Sequence, residues 1–180
     1  GPRGDGTSTE TNLPLTWGEE QNVRWKVAVP GRGWSSPVIA SGEVWLTSAT
    51  DDNPSLRLLS FDALTGAPRL NVEVFRLANP VAGHQKNSGA SPTPILDGDR
   101  VYVHFGSYGT ACVRRDGTVL WRTEELKFAQ VHGPGGSPVL YEKVLIVNCD
   151  GHDKQFVAAI DKDKGKIVWQ EPRPSGMAYA

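Results

Sequence analysis

The sequence predicts an all-β fold: an arc of a β-propeller made of three four-stranded antiparallel blades, with one further outer strand leading in. Three observations predict it. Similar segments recur, each opening on a Ser-Pro pair (Ser36-Pro37, Ser91-Pro92, Ser137-Pro138), at a separation of roughly 45 to 55 residues, the range of propeller blades. Each segment repeats the same order of β-branched and aromatic runs bounded by Gly and Asp turns. Long helical patterns are missing, while 20 glycines and 13 prolines supply the many turns that short strands require.

The elements follow in chain order. Residues 1–22 read as an irregular N-terminal segment; its first twelve residues (GPRGDGTSTETN) are polar and lack the charged-then-apolar order of a signal peptide. Residues 23–30, in NVRWKVAVPG, match the fourth strand of the later repeats (GTVLWRTEEL, GKIVWQEPRP), with Trp25 in the place of Trp121 and Trp169. They are expected to be the outer strand of a closing blade. The blades are expected at 34–75, 88–125 and 136–171. In each, strand one follows Ser-Pro and a tight polar turn leads to strand two (Val44 to Thr47, Val101 to Phe105, Val144 to Val147). Strand three ends in an acidic turn with Gly (Asp62 to Gly66, Asp116-Gly117, Asp161 to Gly165), and strand four closes on Leu70, Trp121 or Trp169. The glycine supplies the positive φ that a tight hairpin needs. Residues 175–180 (SGMAYA) read as the start of a next blade, so 1–180 is expected to be one partial propeller domain from a seven- or eight-bladed whole. Open blade faces then invite self-association.

Composition excludes several classes. Nineteen basic residues against 20 acidic ones give a net charge of −1 and no basic stripe, so no nucleic-acid partner is expected. No apolar run approaches the ~20 residues that span a membrane. Cys112 and Cys149 lack zinc-site spacing and stand either as a disulfide or as two buried thiols on strands. No serine lies in G-x-S-x-G, and the glycine-rich string before Ser137 leads into a strand rather than a helix.

The blade grammar, with an acidic residue, a Thr-Gly or Lys-Gly turn and a closing bulky residue (FDALTGAPRL, DKDKGKIVW), resembles the PQQ-like β-propeller repeat family. The stretches GPRGDGTS, NVRWKVAVPGRGWSSP and NSGASPTPILDGDRVYVHFG resemble exported bacterial members of planctomycete type, similar to the outer-membrane-assembly lipoprotein propeller. The resemblance implies the fold, an exported setting (periplasm or cell envelope), and no single activity. Quinoprotein dehydrogenases that resemble the repeat carry an adjacent cysteine pair, calcium ligands and a Trp platform. This chain has no adjacent cysteines, and its first blade closes on Leu70 rather than Trp. Neither the quinone nor calcium is expected as a cofactor, and no catalytic residue or metal ligand is assigned.

A four-stranded meander sorts its loops onto two rims. The turns within strand pairs one-two and three-four fall on one rim and read as solvated hairpins. The other rim collects the connections into strand one and the loops between strands two and three, near the central channel. Its candidate binding residues are Arg32, Trp34, His84, Lys86, Asn87, His132, Asp150, His152 and Asp153. Each has a plainer reading beside it. His84 and His132, equivalent in successive blades, suit backbone hydrogen bonds at the junction, and Trp34 suits blade packing. The Asp150-Gly151-His152-Asp153 run suits an ordinary acidic turn or a hard cation, without calcium-loop spacing. A zinc site from His84, His132 and Asp150 rests only on the shared rim. The function expected is a non-catalytic binding or scaffold module for a protein or an extracellular polymer. The alternative is part of a quinone- or metal-dependent oxidoreductase whose catalytic residues lie in other blades.

Overall fold

The computed structural model describes residues 7–50, 55–78, 87–174 and 176. Among them, twelve strands form three four-stranded antiparallel sheets, one per repeat. The first is β1 (Val38–Ala40), β2 (Glu43–Ala49), β3 (Ser55–Asp62) and β4 (Pro68–Arg76). The second is β5 (Ile95–Asp97), β6 (Arg100–His104), β7 (Thr110–Arg114) and β8 (Val119–Thr123). The third is β9 (Val139–Tyr141), β10 (Val144–Asp150), β11 (Gln155–Asp161) and β12 (Ile167–Pro172). In all three the strands lie in sequence order, with strand one at one edge and strand four at the other.

Period-two alternation explains how the sheets stack. In β2, Trp45 and Thr47 point toward the second blade while Val44 and Leu46 point away from it, so both faces of the strand are apolar. Trp45, Leu58 and Val74 of the first blade pack against Val101, Val103, Ala111 and Val113 of the second. Tyr102 and Cys112 on the second blade's far face pack against Leu145, Val147, Phe156 and Ile160 of the third. Each large side chain buried this way stabilises the stack by about 1.5–3 kcal/mol.

Charged pairs brace the same junctions. Arg115 meets Glu43 across the first junction, and its guanidinium lies 6.0 Å from the centre of the Trp45 ring. At the second junction Lys162 meets Asp97 at 2.7 Å and Arg100 meets Asp163.

The turn between strands three and four is built the same way in the first and third blades. Asp62 Oδ1 accepts from the backbone N–H of Leu64 (3.0 Å) and Thr65 (2.8 Å) and from the Thr65 hydroxyl (2.9 Å). These bonds, the Thr65 amide first, hold its carboxyl at about 2. Asp161 accepts from Asp163 and Lys164 N–H, both at 2.9 Å. Gly66 (φ +73°) and Gly165 (φ +70°) then turn the chain back in a conformation that L side chains rarely adopt.

A tryptophan covers each of these two glycines. A Cβ on Gly165 would lie 2.5 Å from Trp121 Cε3, and one on Gly66 would lie 2.6 Å from Trp25 Cε3. Trp121 donates its indole N–H to Lys162 O at 2.9 Å, and Trp25 donates to Ala63 O at 3.1 Å. Trp25 therefore occupies the place expected of an outer-strand residue. Residues 23–30 nevertheless form no strand ladder. The reason is physical: a strand needs a neighbouring backbone, and the described residues provide none beside this segment. The expected start of another blade at 175–180 lies, apart from Gly176, outside the described residues.

Candidate functional site

The entry into the first blade defines one wall of the loop-side rim. Arg32 and Ala49 exchange both backbone hydrogen bonds at 2.8 Å, which continues the strand-one edge beyond β1. Trp34 N–H then donates to Ala90 O (3.0 Å), tying this edge to the entry of the second blade. Thr47 reinforces the tie through its hydroxyl, which contacts Ala90 O at 3.4 Å and Pro92 O at 3.3 Å. With its backbone held, Trp34 presents a side chain that leaves the residue 59% exposed. That exposure does not fit the reading of Trp34 as a residue packed between blades. An open cavity of about 390 Å³ adjoins it, lined by Val29, Arg32, Gly33, Trp34 and Leu46.

Asn87 ties the second and third blade entries together. Its side-chain N–H donates to His132 O (2.8 Å) and Pro134 O (3.2 Å), while its Oδ1 accepts from Ser88 N–H and the Ser91 hydroxyl. The junction thus takes its backbone bond from an asparagine side chain, with the His132 carbonyl as acceptor. His132 itself is half-buried. His84 and Lys86 lie outside the described residues, and with His84 so does the zinc grouping that needed it.

The Asp150-to-Asp153 run works as a clamp. Asp150, its side chain 5% exposed, takes Arg173 through both oxygens at 2.8 Å. Asp153 accepts from Ala129 N–H at 2.8 Å, a bond that holds its carboxyl below the usual range. His152 donates its backbone N–H to Ala129 O at 2.9 Å and keeps its side chain exposed. Of the expected rim residues, Asn87 joins the second and third blade entries through His132 O, Asp153 holds Ala129 on the segment between those blades, and Asp150 pairs with Arg173 within the third blade, while Arg32, Trp34 and His152 stay exposed.

One residue of this region was not singled out from sequence. His104, in β6, is 2% exposed, and its Nδ1 lies 2.8 Å from the Thr110 hydroxyl. Burial pushes its imidazole down to about 4, so it is neutral at ordinary pH. It lines a small cavity of about 30 Å³ with Gly106, Gln130, Gly136 and Asn148. Gln130 Oε1 is buried there without a protein donor, and a space of this size holds about one water. The signal in the sequence was a histidine inside an apolar strand run (VYVHF), where the first blade has Thr47, the residue that reaches the next blade's entry.

Cys112 and Cys149 are buried on strands of different blades. Among the described residues, no three His, Cys, Asp or Glu side chains converge as a metal site requires. No helix among them is long and apolar enough to cross a membrane.

Comparison with known proteins places the repeat in a family. The family model described as outer membrane protein assembly factor BamB matches twice, over residues 15–124 and 82–179. No curated protein matches the chain. Among solved structures, BamB from Moraxella catarrhalis superposes with a TM-score of 0.55 at 19% identity, over 83% of this chain and 39% of that one. Quinohemoprotein alcohol dehydrogenase from Comamonas testosteroni superposes with a TM-score of 0.58 at 13% identity, over 79% of this chain and 21% of that one. A quinohemoprotein alcohol dehydrogenase from Pseudomonas putida gives 0.58 at 15% identity, over 82% and 22%. At these identities the structural likeness speaks for the fold alone, and the chain spans well under half of each of these proteins.

Proposed function

Because the chain belongs to the PQQ-like β-propeller repeat family, in the branch described as outer membrane protein assembly factor BamB, we propose that it is a non-catalytic binding module. In this reading it works in the cell envelope and holds a protein or an extracellular polymer at its loop-side rim. The observation that carries the reading is Trp34: a residue 59% exposed, backbone-anchored across two blades, beside an open cavity of about 390 Å³. Trp and Arg dominate the energetics of protein interfaces because they bury large area at modest entropic cost. Arg32, exposed on the same wall, supplies the second such residue. The bracing by Asn87 and Asp153 supports the reading as well, since a pre-ordered rim loses less entropy on binding.

Photo-crosslinking in the intact envelope tests this. A benzophenone amino acid at position 34 is expected to capture a discrete partner, and the same probe at Leu64, on the hairpin rim, is not. Equal capture from both positions, or none from position 34, removes the reading. The oxidoreductase alternative is tested separately by titrating the protein with pyrroloquinoline quinone and calcium; a spectral change with thermal stabilisation would establish it.

A further inference from the structure

The ladder between strands one and two aligns the blades residue by residue: Val38 faces Trp45, Ile95 faces Tyr102 and Val139 faces Ile146. Two places further along strand two stand Thr47, His104 and Asn148. At the first junction the Thr47 hydroxyl reaches the entry of the next blade, where it contacts Ala90 O at 3.4 Å and Pro92 O at 3.3 Å. The matching entry of the third blade is Gly136-Ser137-Pro138. His104 bonds instead within its own blade: its Nδ1 lies 2.8 Å from the hydroxyl of Thr110, its cross-strand partner. The cavity of about 30 Å³ is lined by both His104 and Gly136.

Two side-chain amides line this cavity, and each lies against a glycine. A Cβ on Gly106 would overlap Gln130 Oε1, and one on Gly136 would overlap Asn148 Oδ1. Glycine at both places lets the two amide oxygens approach. Gln130 Oε1 is buried there without a protein donor, and a desolvated acceptor of this kind calls for one.

Charge decides the class of occupant. Asp150, the acidic residue of the lining, takes Arg173 through both oxygens. Burial pushes the His104 imidazole down to about 4, so it is neutral at ordinary pH. An ion entering this lining would give up its hydration without meeting an unpaired counter-charge. A neutral molecule with two protons to give and a lone pair to receive matches two amide oxygens and one imidazole N–H. The volume admits one water.

We propose that this cavity seats a single structural water, which accepts from His104 Nε2–H, donates to Gln130 Oε1 and Asn148 Oδ1, and ties the second blade to the third where Thr47 makes the tie directly at the first junction. The assignment fixes the imidazole tautomer: the Thr110 hydroxyl donates to Nδ1, and the proton sits on Nε2. It also separates a water from a cation, since a cation among the same oxygens would need the Nε2 lone pair and therefore the opposite tautomer. Every group involved belongs to the second and third blades or to the segment joining them, so the water does not depend on the rim reading.

Nitrogen-15 NMR of the wild-type protein near neutral pH tests the tautomer without any substitution. Nε2 of His104 is expected to carry the proton, and that proton is expected to show a nuclear Overhauser contact to a bound water. A crystal structure is expected to place one water within about 2.7–3.2 Å of His104 Nε2, Gln130 Oε1 and Asn148 Oδ1. A proton on Nδ1, a cavity without solvent density, or a cation seated there instead each overturns the proposal. In Gln130→Met, which removes one acceptor and nearly keeps the side-chain length, the residence time of the water is expected to fall about tenfold. An unchanged residence time, read by water relaxation dispersion, overturns the seat assigned to it.

Discussion

Trp121 and Gly165 meet so closely that a single methyl group cannot be added between them. A Cβ on the glycine would lie 2.5 Å from Trp121 Cε3, and the indole N–H is fixed on Lys162 O at 2.9 Å. Gly165 also sits at φ +70°, so backbone conformation and packing impose the same residue. Gly165→Ala is expected to destabilise the protein by about 2–4 kcal/mol. Trp121 fluorescence should shift to the red, and chemical denaturation measures the loss. The same substitution at Gly66 displaces Trp25, which belongs to no strand ladder, and is expected to cost less.

His104 makes stability depend on pH in a defined window. Its imidazole is held down to about 4 by burial, against an ordinary value of 6.5. Below 6.5 the unfolded chain takes up a proton that the folded chain refuses, so stability falls as pH drops from 6.5 to 4 and is fully present above 6.5. The loss from this one group reaches about 3 kcal/mol. In His104→Gln, which keeps a polar group near Thr110, the slope of stability against pH in that window should flatten. Thermal melts at half-unit pH steps measure it.

The two cysteines should be silent in the folded protein. Burial pushes the Cys112 thiol to about 11 and the Cys149 thiol to about 12, and both side chains are at 0% exposure. At pH 8 neither is expected to react with a thiol reagent until the protein unfolds, when two equivalents are consumed. Reaction of either without denaturant would contradict the packing of the second junction.

Asp150 depends on Arg173. The carboxylate side chain is 5% exposed and accepts from Arg173 at 2.8 Å through both oxygens. Arg173→Ala leaves it without that donor in a desolvated place, an expected loss of about 2–4 kcal/mol. Arg173→Lys should recover part of this, since a lysine restores charge without the planar fork. Asp150→Asn in the Arg173→Ala background should lessen the deficit, because the buried charge is then gone. A thermodynamic cycle of these variants measures the coupling.

The repeat, its strand order, the acidic turns and the identity of Trp25 with Trp121 were all legible in the sequence. They are local patterns: alternation sets which face a side chain takes, and an aspartate two or three residues before a free amide caps its own turn. The rim was legible as a place, because a meander must alternate its ends. What each rim residue does was not. Asn87 reaching His132 O, Asp150 taking Arg173 across the third blade and His104 buried beside Thr110 depend on distances between strands and blades that no spacing along the chain encodes. Residues 23–30 show the division within one segment. Sequence identified the tryptophan that docks on a glycine notch, since that contact needs only the right side chain. Whether the segment becomes a strand was decided by tertiary structure, because a strand is completed by the backbone beside it.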